Sequence, residues 1–93
     1  MTRTYTVVLK KEPTGGYSVS VPALPGCFTD GDTIAHALEM AREAIEVYLD
    51  MVVDHGEPIP RDKQSFYLDM TGARSARVHQ VTVMIPQAAT APV

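Results

Sequence analysis

The chain has 93 residues, enough for one domain of ordinary size and not for a second. Hydrophobic residues make up 45% and charged residues 20%, which excludes an intrinsically disordered chain. The net charge of -3 offers no clustered positive field for a polyphosphate backbone, so binding of DNA by this chain alone is not expected. A chain this short buries only about 60 to 65% of its unfolded surface, so self-association, as a homodimer or a higher homo-oligomer, is expected to add to a modest core. Cys27 is the single cysteine, so neither an internal disulfide nor a multi-cysteine zinc site can form within one copy. The first residues, Met1-Thr2-Arg3-Thr4-Tyr5, do not read as a secretion signal, and no apolar run is long enough to span a bilayer; a cytoplasmic location without membrane attachment is the expectation.

Tyr5, Val7 and Leu9 alternate with Thr6, Val8 and Lys10, which predicts a first strand over Thr4 to Lys10 with one face buried. Glu12-Pro13-Thr14-Gly15-Gly16 reads as a hairpin loop, and Tyr17, Val19 and Val21, alternating with Ser18 and Ser20, as an antiparallel second strand. Pro22-Ala23-Leu24-Pro25-Gly26 interrupts the sheet, because two prolines remove ladder donors; a short third strand resumes at Cys27 to Asp30.

Thr33 is the best N-cap for a helix starting at Ile34, since its hydroxyl can accept from a first-turn amide. Ile34, Ala37, Leu38, Ala41, Ile45, Tyr48, Leu49 and Val52 recur every three or four residues as one stripe that faces the sheet. A second apolar row, Met40, Ala44, Val47 and Met51, is displaced about 110° from the first at roughly 100° per residue. It reads either as an unusually broad core contact or as an interface between copies or with a partner.

His55-Gly56 closes the helix, and Pro58 and Pro60 keep it from resuming. The polar connection from Arg61 to Arg77 holds one possible strand, Ser65 to Met70. Val78 to Ile85 alternates again, with Val81, Val83 and Ile85 opposed to Gln80, Thr82 and Met84. The order β-β-β-α-β predicts an α+β domain over residues 1–87, a three-stranded antiparallel meander followed by one long helix and a further strand, with 88–93 as a disordered tail.

The run Gly15-Gly16-Tyr17, then Val21-Pro22-Ala23-Leu24-Pro25-Gly26-Cys27, then Thr29-Asp30-Gly31-Asp32-Thr33 closely resembles the HicB family. So do Ala37-Leu38-Glu39 to Ala44-Ile45 and the later Gly56-Glu57-Pro58-Ile59-Pro60. The resemblance covers about the first two thirds of the chain and is specific in order and spacing. It implies a partial ribonuclease H-like fold, no cofactor, and a role as the antitoxin of a type II toxin-antitoxin pair, in which the antitoxin covers the active site of HicA, a small basic RNA-cleaving toxin. Two departures bear on this. His36 stands at the third helical position where the family often has Glu, so the capping box is incomplete and a weaker helix start is expected. The ribbon-helix-helix or helix-turn-helix that many members carry for operator binding has no counterpart after Ile85.

A ribonuclease H-like fold raises the possibility of two-metal phosphodiester cleavage, which needs converging carboxylates. The first strand carries no acid, and Glu39, Glu43, Glu46 and Asp50 fall on the solvent side of the helix, so catalytic and metal-binding residues are not expected. His36, His55 and His79 lack ligand spacing, and Cys27 reads as core. The toxin-interface candidates are Pro22, Leu24, Pro25 and Phe28 in or beside the stiff loop, with Asp30, Asp32, Glu39 and Glu43 as acids suited to a basic partner. The oligomer-interface candidates are Met40, Ala44, Val47 and Met51. Two other readings remain open: a stand-alone nucleic-acid-binding or degenerate nuclease domain, and a small oligomeric ligand-binding or structural protein.

Overall fold

The computed structural model describes residues 1–63, 65–68, 70–71 and 75–85. Four strands and one helix follow the order β1 (Thr2–Lys11), β2 (Tyr17–Ser20), β3 (Phe28–Gly31), α1 (Ile34–Asp54) and β4 (Ser75–Met84). The strands form one antiparallel sheet in the spatial order β3-β2-β1-β4, as the α+β reading expects. β3 lies one residue later than the pattern suggests. β4 starts three residues earlier than the pattern suggests, because β1 continues to Lys11 and holds Ser75 opposite it. The described part of Ser65 to Met70 forms no strand, which corrects that expectation; β4 occupies the place beside β1. Residues 88–93 lie outside the described ones.

α1 covers one face of the sheet. Ala37, Ala41, Ile45 and Leu49 are fully buried against Tyr5, Val7 and Leu9 of β1, Val19 of β2, and Val81 and Val83 of β4. Gly31 makes this approach possible, since a Cβ there would lie 2.5 Å from the Ala37 nitrogen, closer than real side chains come. Thr33 caps the helix as expected, its hydroxyl accepting from the His36 amide at 3.1 Å. His36, in place of the Glu, makes a different tie: its Nδ1 accepts from the amide of Asp32, one residue before the N-cap, at 3.1 Å. At the other end the Gly56 amide donates to Val53 and the Glu57 amide to Val52, a Schellman closure that the positive φ of Gly56 allows.

The alternation in β1 suggests one buried face, but both are buried. Thr6 and Val8 point away from the helix, yet they are 7% and 0% exposed. The reason lies after the helix. β2 pairs with β1 only as far as Val8↔Ser20, and the connection crosses the sheet at the gap beyond that pair. Ile59 packs on the helix side, the Tyr5 hydroxyl donates to the Pro60 carbonyl, and Asp62 reaches the far side. One Asp62 oxygen accepts from the Thr6 amide at 2.8 Å and the other from the Thr6 hydroxyl at 2.7 Å, replacing the ladder partner that β2 no longer supplies.

Two predictions follow from this clasp. Asp62→Ala leaves the part-buried Thr6 amide and hydroxyl without their acceptor, and urea denaturation should show a loss of about 1 to 3 kcal/mol; an unchanged midpoint would contradict the role given to Asp62. Burial raises the Tyr5 phenol above its ordinary value of 10.0, with Arg3 opposing and Asp62 reinforcing the shift. The unfolded chain then releases this proton first, so stability should fall as pH climbs above 10.0, and Tyr5→Phe should flatten that alkaline limb in a pH series of denaturation curves.

Candidate functional site

The Pro22 to Gly26 stretch is not a protruding arm. The Leu24 amide donates to the Val21 carbonyl at 2.9 Å and the Cys27 amide to the Leu24 carbonyl at 3.0 Å, so the chain folds inward on consecutive turns. Val21, Ala23, Leu24 and Cys27 all enter the core. Leu24 is 1% exposed, which corrects its reading as an anchor held out for a partner: the turn withdraws its side chain from solvent. Cys27 is buried as expected, and burial pushes its thiol pKa up, away from the reactive thiolate form.

Phe28, four residues on, is 72% exposed. It stands at the start of β3, the outer strand on that side of the sheet, beside the second apolar row of α1. Between them runs an open groove of about 480 Å³. Cys27, Phe28 and Thr29 form one wall, and Met40, Ala44, Val47, Tyr48 and Met51 the other, with Glu43 on the helix side. Val47 is 68% and Met51 48% exposed, so these two lie outside the core, whereas Met40 is half-buried and Ala44 packs in part against it. The sheet runs out at β3 before it can cover a second helical row. Contiguous exposed apolar surface tends to mark sites of association.

The sequence-derived candidates separate on the surface. Phe28 and Glu43 meet Met40, Ala44, Val47 and Met51 in this groove. Asp30 and Asp32 are exposed at a different hollow, beside Gly15, Gly16 and Tyr17 of the hairpin. Glu39 lies toward β4 with Gln80 and Thr82, Pro22 faces Lys63 and Phe66, and Pro25 is exposed on the turn. Tyr48, assigned from spacing to the core stripe, is half-buried and lines the groove as well. Its place next to Val47, between the two rows, was the available signal. Among the described residues no group of three or more His, Cys, Asp or Glu is placed to hold a metal ion, and no helix is long and apolar enough to cross a membrane.

A family model, the HicB-like antitoxin of bacterial toxin-antitoxin systems, matches residues 5–87. The chain belongs to this antitoxin family. A UPF0150 protein of Thermoplasma acidophilum is 52% identical over 58 residues, which cover 62% of this chain and 84% of that one. Antitoxin HicB of Escherichia coli is 39% identical over 56 residues, 60% of this chain and 41% of the Escherichia coli protein. In a toxin-antitoxin complex from Streptococcus pneumoniae, one chain superposes with a TM-score of 0.77 at 16% identity, covering 100% of this chain and 78% of that chain. The last likeness is one of fold, and it agrees with the strand and helix order found here.

Burial separates the two loop residues of this HicB-like domain. Leu24→Ala should cost about 2 to 5 kcal/mol of folding stability through the cavity it leaves. Phe28→Ala should stay within about 0.5 kcal/mol of the parent. Thermal and urea denaturation of the two variants side by side test this; equal losses would mean that Phe28, too, is a core residue.

Proposed function

We infer that this chain neutralises a HicA-type toxin by covering the toxin's nuclease active site, and that the toxin seats on the groove between β3 and α1. The observation that carries the reading is the exposed apolar groove itself, in a chain of the antitoxin family. Val47 and Met51 supply large side chains that already stand in solvent, so little ordering is needed on binding, and Phe28 adds exposed apolar surface at the groove's rim, its pairing through Ser20 with Val8 setting its side chain toward the sheet face away from the helix. Glu43 lies in the groove, with Asp30 exposed on the same strand as Phe28. Such carboxylates suit a basic RNA-binding protein, because opposite charge at the border of an interface speeds encounter and sets orientation. The solved Streptococcus pneumoniae relative of the same fold is a toxin-antitoxin complex, which supports a protein partner. No catalytic step is assigned to the chain's carboxylates; they act as surface charge.

The test is co-expression with a HicA-type toxin, taken from the gene adjacent to this chain's own if that gene encodes a small basic protein. The parent should relieve growth inhibition and co-purify with that toxin. Phe28→Ala combined with Val47→Asp should weaken the complex by about 2 kcal/mol or more, measured by calorimetry, with circular dichroism unchanged. Failure to bind any toxin of the HicA type would remove the antitoxin reading, whereas full affinity in the double variant would remove only the groove from it.

A further inference from the structure

We propose that a second copy of this chain docks on the outer edge of β4, joining the two four-stranded sheets into one continuous antiparallel sheet about a two-fold axis. β4 is the outermost strand opposite β3, and among the described residues only β1 pairs with it. The direction of its backbone groups follows from two hydrogen bonds. The Thr6 amide donates to Asp62, away from β4, so Thr6 and its partner Gln80 do not exchange backbone bonds. Ile85 does, donating its amide to the Met1 carbonyl at 3.0 Å. Bonded and non-bonded pairs alternate along an antiparallel ladder. Ala76, Val78, Gln80, Thr82 and Met84 therefore turn their amides and carbonyls outward, along one straight edge.

Edges of this kind normally carry devices against pairing: a proline, a bulge, an abundance of charge, or shortness. β4 has none of the first three. Its register with β1 runs unbroken from Ser75 to Met84, it contains no proline, and its one charged residue is Arg77. Nor is it short, at 10 residues against the 4 of β3. It also exposes Val78 at 54% and Met84 at 61%, both on the face away from the helix with Thr82 and Gln80.

The occupant that fits is another β4. An antiparallel pairing centred on Gln80 brings every outward group into use, in about ten new backbone hydrogen bonds. It sets Val78 opposite Thr82 of the second copy and Ala76 opposite Met84 of the second copy. Arg77 falls opposite Val83 of the second copy, so no like charges meet. The contact is self-complementary and closes on two chains, whereas joining β3 to β4 would leave an open edge on each added copy. Since β3 and the groove lie at the far side of the sheet, the toxin-binding surface stays free in such a dimer.

Light scattering on the purified full chain at high micromolar concentration should give twice the chain mass of 10.1 kDa, or a larger multiple. Val78→Lys places a charge at the edge, and Gln80→Pro removes its central outward amide without touching the β1 ladder. Each should halve the mass while circular dichroism stays at the parent value; if the proline variant unfolds, the lysine variant decides. Gln80→Cys lies on the proposed axis and should form a disulfide-linked dimer under mild oxidation, while Met51→Cys in the groove should not. A parent chain that stays monomeric overturns the proposal. So does an assembly indifferent to the edge variants and dissociated by Val47→Asp, or one in which Met51→Cys cross-links and Gln80→Cys does not.

Discussion

The fold depends on β1 being buried on both faces. It carries the ladder to β2 on one side and to β4 on the other, and its Tyr5, Val7 and Leu9 side chains meet the helix. A strand so placed must have every backbone group satisfied, because a buried amide without an acceptor loses its hydration and gains nothing. β2 is too short to do this alone. Asp62 supplies the missing acceptor from a distant part of the chain, and in reaching Thr6 it draws the connection across the sheet and closes the second face.

That arrangement also explains why the helix is only partly covered. α1 has 21 residues and presents two apolar rows, but only the row containing Ala37, Ala41, Ile45 and Leu49 finds a sheet beneath it. In the neighbouring row Ala44 packs in part against the core, while Val47 and Met51 stand exposed beyond it. Among the described residues no further layer lies over Val47 and Met51, and burying them would need another element. The exposed end of that row and the start of β3 together line the groove, which is thus a direct result of where the sheet ends.

The two edges of the sheet thus have different characters. The β3 edge is short and merges with an apolar groove next to Glu43, features suited to a folded partner with basic character. The β4 edge is long and straight, with its backbone groups aimed outward, features suited to strand addition. An antitoxin that dimerised through one edge and held its toxin at the other would gain stability from both contacts without a larger core of its own.

Much of this was readable from residue order. Period-two alternation located β1, β2 and β4, three-and-four spacing located α1 and its buried stripe, and Thr33 and Gly56 marked the helix ends, because these signals depend only on neighbours within a few positions. The resemblance of the Gly15 to Pro60 run to the HicB family rested on the same local order. What the sequence left open were the matters decided by residues far apart in the chain. Whether Leu24 or Phe28 faced solvent depended on the turns bonded through Val21 and Cys27, which send the first inward and leave the second on an edge strand. Whether Thr6 and Val8 were exposed depended on Asp62, more than fifty positions away. Whether Met40, Ala44, Val47 and Met51 were core or surface depended on how far the sheet extends beneath the helix. Spacing places a side chain on a face of its own element, but only the packing of that element against the others decides what the face meets.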